Sequence, residues 1–229
     1  MKETFSKFPS TPHLAALHDT DIRDDKVMTE SEREGFLEQE VTVEEKVDGA
    51  NLGISFAADG AVRAQNRGKI LSLPGSGQWH ELTRWLDIHC DELFDLLSDQ
   101  YILFGEWCYA QHSVFYNRLP DWFMAFDIYD RSAERFLSVM RRDRLLSQVS
   151  IATVPFIAHG RFTYTDIVGF LSASALGDQP AEGVYLRSDD GDWLQQRAKL
   201  VRPTFIQTID EHWSRSTLKP NRLCYQMPR

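Results

Sequence analysis

The strongest restriction on the fold is a series of apolar, strand-length runs that each carry charged residues. The first, EVTVEEKV, alternates in character and places Lys46 near its end. Asp48-Gly49 follows at once, and then a second run, ANLGISFA. An Asp59-Gly60 hairpin signal leads into AVRAQNRGKI. YILFGEWCYA carries Glu106, WFMAFDIYD carries Asp127, EGVYLRS opens on Glu182, and DWLQQRAKLVRP carries Arg197 and Lys199. Burying a charge without a partner is costly. The fold must therefore either pair these charges or turn them toward a shared cleft that holds a ligand.

The first three runs predict an antiparallel meander with Lys46 beside its first turn. WHELTRWLDIHCDELFDLLSD has Leu82, Trp85, Leu86, His89, Leu93, Leu96 and Leu97 at helical spacing. It predicts an amphipathic helix on a sheet. SVMRRDRLLSQV predicts a helix capped by Ser138, and TYTDIVGFLSASA one capped by Thr163 or Thr165. TVPFIAHG is a further short strand, and TFIQTIDEHW a final short helix. The acidic stretch from His18 to Phe36 reads as a surface loop and short helix. Strands come in antiparallel groups with helices inserted, so the expected class is α+β, in a single domain over 1–229.

Composition narrows the function. The formal net charge of −9 excludes a protein that coats nucleic acid through an overall basic field, while leaving room for a local basic groove. Three scattered cysteines, Cys90, Cys108 and Cys224, support neither a zinc site nor a disulfide framework. No apolar run approaches a membrane span, and the N-terminus lacks a secretory pattern. The expected location is the cytoplasm.

A lysine between strand and turn is held rigidly while its tip reaches a cleft, and Gly49 lets the backbone turn closely there. Its amine is a nucleophile only when deprotonated, which a neighbouring cation or desolvation favours. RAQNRGK adds Arg63, Arg67 and Lys69 on the next hairpin. Arg197 and Lys199, two apart, leave one face of their strand. Carboxylates and cations from separate strands are thus expected to converge on one cleft.

In order and spacing these residues resemble the covalent nucleotidyltransferases, the polynucleotide ligases and mRNA capping enzymes. Lys46-Val47-Asp48-Gly49 looks like motif I and Arg67 like the arginine of the next element. Phe104-Gly105-Glu106 looks like motif III, Phe126-Asp127 like motif IIIa, Glu182-Gly183 like motif IV, and Arg197-Ala198-Lys199 like motif V. EKVDGANLGI, with Asn51 five residues after the lysine, is most similar to the RNA ligase 2-like branch. FPSTPHL, near the N-terminus, resembles the start of a bacterial and phage group.

The resemblance implies a ligase adenylation fold, with antiparallel sheets and flanking helices around an ATP cleft. It implies an ATP-dependent RNA ligase that joins 5′-phosphate to 3′-hydroxyl ends through lysyl-AMP on Lys46. Arg197 and Lys199 would contact the α-phosphate, and Arg67 the phosphates or the 5′-phosphate end. Glu45 and Val47 would reach the base edge through backbone atoms, Asn51 the ribose, and Phe126 would stack on adenine. Asp48, Glu106 and Glu182 would place hydrated Mg²⁺ or Mn²⁺, with Glu106 alternatively on the ribose. RNA ends or a nicked duplex would be the substrate. No OB or other C-terminal domain is expected, so a partner protein is a candidate for nick recognition. A DNA ligase, a GTP-dependent capping enzyme and a non-sealing end-binding module are the competing readings. Arg197 stands where the family often has lysine. His112 reads best as a satisfied histidine, with the 5′-phosphate as its alternative, and His13 stays undecided.

Overall fold

The computed structural model describes residues 5–17, 27–202 and 218–224. The expected final helix, TFIQTIDEHW, lies outside these residues, as does the start of the acidic stretch. The elements in chain order are α1 (Glu30–Leu37), β1 (Val41–Lys46), β2 (Ala50–Phe56), β3 (Val62–Gln65), α2 (Leu82–Leu97), β4 (Tyr101–Trp107) and β5 (Phe123–Asp130). They continue with β6 (Arg135–Phe136), α3 (Val139–Leu146), β7 (Phe156–Gly160), α4 (Tyr164–Gly169), β8 (Gly183–Asp190) and β9 (Trp193–Val201). A 3₁₀ turn spans Gly77–Trp79.

Two antiparallel sheets result, one ordered β7-β1-β8-β9 and the other β3-β2-β4-β5-β6. The α+β expectation holds, but the expected meander does not. β2 pairs with β3, yet β1 does not pair with β2: it lies between β7 and β8, and β2 lies against β4. Val47–Gly49 therefore crosses from one sheet to the other. A Cβ on Gly49 would meet the Trp107 carbonyl oxygen at 2.9 Å and Cys108 Sγ at 3.2 Å, so only glycine lets the crossing pass this close to β4. Local alternation shows that both segments are strands; it carries no information on the distant partners that β1 finds in β7 and β8 and β2 finds in β4.

Alternation does decide which face each residue takes. On β1, Val41 and Val43 pack outward with Phe36 and Leu37 of α1, Ile167 of α4, and Val184, Leu186, Ala198 and Leu200 of β8 and β9. Thr42, Glu44 and Lys46 take the opposite face. The five-stranded sheet buries Leu52, Ile54, Leu103 and Ile128 against Leu82, Trp85, Leu86, Leu93 and Leu97 of α2. Removing one such leucine side chain costs about 2–5 kcal/mol. Both sheets thus cover their outer faces with helices and leave charged residues on the inner ones.

Ser138 caps α3 by accepting from the Arg141 N–H, and Thr163 caps α4 within a capping box with Asp166. α4 ends by Gly169, short of the expected LSASA extension, because that segment folds back to pair with 179–181. β3 likewise stops at Gln65, where Asn66 opens a tight turn. Cys90, Cys108 and Cys224 are free thiols. No helix among the described residues is long and apolar enough to cross a membrane.

Candidate active site

A cleft of about 800 Å³ separates the inner faces of the two sheets. Glu45, Lys46, Val47, Asp48, Asn51, Arg67, Glu106, Phe126, Glu182 and Lys199 all line it. Arg197 does not.

Lys46 ends β1, opposite Gly183 on β8. Its Nζ donates to Glu182 Oε2 at 2.6 Å. The Lys46 side chain is 21% exposed and that of Glu182 only 7%. Burial alone would lower the lysine's pKa, but Glu182, Glu106 and Asp48 outweigh it and raise it. This corrects the expectation of a depressed pKa: carboxylates surround the amine and hold its proton. The same crowding acts on the acids. Burial pushes Glu106 up to about 8 and Glu182 to about 7, against the pull of Lys46, and each carboxylate also suffers its neighbours' charge.

Glu106 lies opposite Asn51 across β2 and β4. Its Oε2 is buried and has no hydrogen-bond partner. A buried orphan acceptor on a cleft wall suits a ligand hydroxyl or a metal-bound water. Asp48 is more occupied than expected: its Oδ2 accepts from the main-chain N–H groups of Ser113 and Val114 at 2.7 and 2.8 Å. Its Oδ1 is 4.0 Å from His112 Nδ1. No group of three or more His, Cys, Asp and Glu among the described residues is placed to hold a metal directly. Asp48, Glu106 and Glu182 are therefore not a ready-made ligand shell. Glu106 and Glu182 do fit a hydrated Mg²⁺, which keeps several waters and takes only one or two carboxylates from the protein.

The Glu45 carboxylate leaves the opposite face of β1, where it accepts from Ser174 Oγ at 2.5 Å and the Ala175 N–H at 2.9 Å. Its own N–H donates to the Pro155 carbonyl.

Phe126 projects into the cleft from β5, and its carbonyl accepts from two buried arginines, Arg142 Nη1 and Arg187 Nη2, each at 2.7 Å. The same arginines grip Glu44, Arg142 Nη2 at 2.6 Å and Arg187 Nε at 2.7 Å. Arg187 Nη1 and Arg197 Nη1 both donate to Asp127, at 2.5 and 3.0 Å. Burial opposes the charge on Glu44, yet Arg187 and Arg142 hold its carboxyl below the usual range. This network ties β1, β8 and β9 of one sheet to β5 of the other, with α3 as a brace. Arg197 therefore departs from its expected role. Asp127 engages its guanidinium, which stacks over Phe136 and Phe8 at 4.1 and 5.0 Å. Lys199, two residues on, stays in the cleft wall.

The N-terminal FPSTPHL segment also builds the site. The Leu14 N–H donates to the Lys199 carbonyl, and the Lys199 N–H to the Pro12 carbonyl, at 2.8 and 3.0 Å. Phe8 meets Phe126 edge-on at 5.2 Å, and Thr11 Oγ1 lies 2.9 Å from Tyr185 OH. Main-chain bridges join His13 to Lys199 and Val27. His112 Nε2 pairs with Gln78 Oε1 at 2.9 Å. Sequence reasoning missed Glu44, Arg142, Arg187, Tyr185, Phe8, Gln78 and Trp79. A charge inside an apolar strand was a usable signal for Glu44 and Arg187; nothing local marked the others.

No curated protein matches the chain. Solved structures do. A Naegleria gruberi RNA ligase variant with ATP and Mn superposes with a TM-score of 0.63 at 18% identity, covering 87% of this chain and 63% of that one. An apo variant of the same ligase gives 0.62 at 20% identity, covering 88% and 59%. A variant with AMP and Mn gives 0.61 at 20% identity, covering 89% and 64%. The chain thus spans less than two thirds of the length of these relatives. At such identities the likeness establishes the fold. The RNA ligase family model matches residues 39–201, from just before β1 to the end of β9 and so over every strand described above. The chain belongs to the RNA ligase family.

Proposed function

We propose that this chain is an ATP-dependent RNA ligase that works through a lysyl-AMP on Lys46, with an adenylation fold and an ATP cleft between its sheets. The observation that carries this reading is Lys46 Nζ at 2.6 Å from Glu182 inside a cleft that Phe126 and Lys199 also line. ATP and AMP with Mn occupy structures of the Naegleria ligase, which supports a nucleotide and a divalent cation here.

Adenine stacks on Phe126, whose backbone the arginine network holds still. Asn51 and Glu106 receive the ribose end, where the orphan oxygen of Glu106 accepts a hydroxyl. Lys46 first gives up its proton to solvent. Its amine then attacks the α-phosphorus: one P–N bond forms, the P–O bond to the β-phosphate breaks, and pyrophosphate leaves. Next, a 5′-phosphate oxygen displaces Lys46 from phosphorus, leaving an adenylated RNA end. Finally a 3′-hydroxyl attacks that end, AMP departs, and its proton passes to solvent. Lys199 offsets the negative charge that develops on the phosphoryl oxygens. A hydrated divalent cation near Glu106 and Glu182 supplies further charge neutralisation when bound.

Incubation with α-labelled ATP and Mg²⁺, followed by denaturation, tests the reading. Label should stay on the protein and disappear in Lys46→Ala. No adduct with any nucleotide sinks the proposal, and a GMP adduct turns it toward capping. Nicked duplexes with RNA or DNA on either side of the nick then define the polymer.

A further inference from the structure

Beyond the nucleotide-binding end, the cleft has a second set of lining residues. Gln78 and Trp79 belong to the 3₁₀ turn between β3 and α2. Trp107 Nε1 donates to the Gln78 carbonyl at 2.6 Å, and the Gln78 side chain pairs with His112. Gly75 lies so close under Trp79 that an added Cβ would come within 2.6 Å of the tryptophan Cβ. The turn is thus pinned, and the half-buried indole is held as part of the cleft wall. Trp79 packs against the core of α2 and the five-stranded sheet and also lines the cleft, so a firmly seated indole is partly open to a flat apolar group from the cleft side.

Arg67 and Lys69 line the same cleft and are exposed. Asn66 Oδ1 fixes their turn by accepting from the N–H groups of Gly68 and Lys69, each at 2.9 Å. The Arg67 charge acts on Glu106, which sets the arginine near the reactive end. A rigid aromatic with a short run of cations is the combination that binds a strand end, base on ring and phosphate on cation.

We infer that Trp79 is a stacking platform for the base of the nucleotide that carries the 5′-phosphate, with Lys69 joining Arg67, already expected at that phosphate, in receiving it. The inference rests on the ligase reading and adds a polynucleotide subsite to it. The 5′-phosphate side is favoured over the 3′-hydroxyl side because only the former brings a terminal dianion to match the cations.

The test is a cycle between protein and substrate. Binding of a 5′-phosphorylated nicked RNA duplex is measured for the wild type and Trp79→Ala, with the 5′-terminal nucleotide intact or abasic. Loss of one base–aromatic stack predicts roughly 5- to 150-fold weaker binding for Trp79→Ala on the intact nick. The abasic nick should weaken wild-type binding by a similar factor and cost Trp79→Ala nothing more. Trp79→Phe should recover most of the loss on the intact nick only. Lysyl-AMP formation should fall less than RNA binding. Additive losses, or no loss, overturn the inference. An equal fall in lysyl-AMP formation and RNA binding also overturns it, since the tryptophan would then be structural. If the non-additive binding pattern appears without lysyl-AMP in the wild type, the subsite stands and the ligase reading fails.

Discussion

Lys46 Nζ and Glu182 Oε2 are 2.6 Å apart, so the nucleophile of the proposed reaction is held as an ammonium by the residue beside it. Glu106 and Asp48 reinforce the effect. An amine in this state is a poor nucleophile, and its proton must leave before attack. The arrangement keeps Lys46 in position and unreactive in the ligand-free protein.

Removing Glu182 should therefore lower the pKa of Lys46. Competitive labelling with a small acylating reagent across a pH series, read by mass spectrometry with exposed Lys69 as internal reference, measures this. The Lys46 midpoint should lie at higher pH in the wild type than in Glu182→Gln. An unchanged midpoint would show that Glu182 does not hold the proton.

Ligand-free stability should depend on pH through Glu106. Its carboxyl has an ordinary value of 4.5 and reaches about 8 in the folded protein. Below 4.5 both folded and unfolded chains carry the proton and the group makes no difference. Between 4.5 and about 8 the folded chain holds a proton that the unfolded chain has released, so stability falls as pH rises. Above about 8 the loss is complete. Glu182 acts in the same direction. Thermal melts across this window should show a steeper fall for the wild type than for Glu106→Gln, at about 2–4 °C per kcal/mol for a chain of this size. Parallel slopes would contradict the elevated value.

Arg142 lies on α3, outside the cleft, yet it supports both Phe126 and Glu44. Arg142→Ala should destabilise the protein by about 3–5 kcal/mol, because Glu44 loses part of its buried countercharge. Arg142→Lys should recover little, since one ammonium does not reproduce a planar fork that reaches two acceptors. Urea unfolding measures both. A loss under about 1 kcal/mol for the alanine variant would mean that Arg187 alone suffices.

Arg197 and Lys199 should separate by role. Arg197→Ala leaves the fully buried Asp127 with one fewer donor and should lower stability by about 1–3 kcal/mol. Lys199→Ala should affect stability less and slow lysyl-AMP formation by about 10²–10³-fold, the usual effect of removing one group that stabilises transition-state charge. Paired melts and single-turnover labelling distinguish them. Equal effects of both variants on both readouts would refute the division.

Much of this was legible in the chain. Hydrophobic alternation located the strands, the apolar stripe located α2, and Ser138 and Thr163 marked two helix starts, since each depends on neighbours a few residues apart. Alternation also turned Lys46 and Lys199 to the inner faces, while charge inside apolar runs marked Glu106 and Asp127 as needing partners or a ligand; Glu182, just before β8 and in phase with the outward Val184 and Leu186, reaches the cleft against that alternation. Only the tertiary structure decided which partners they have. β1 left β2 for β8, some 140 residues away; Arg197 turned from the cleft to Asp127; and Pro12–Leu14 joined β9 beside Lys199. The protonation of Lys46 belongs here too. A side chain's charge state depends on burial and on carboxylates brought from β4 and the start of β8, and chain pattern records neither distance nor dielectric.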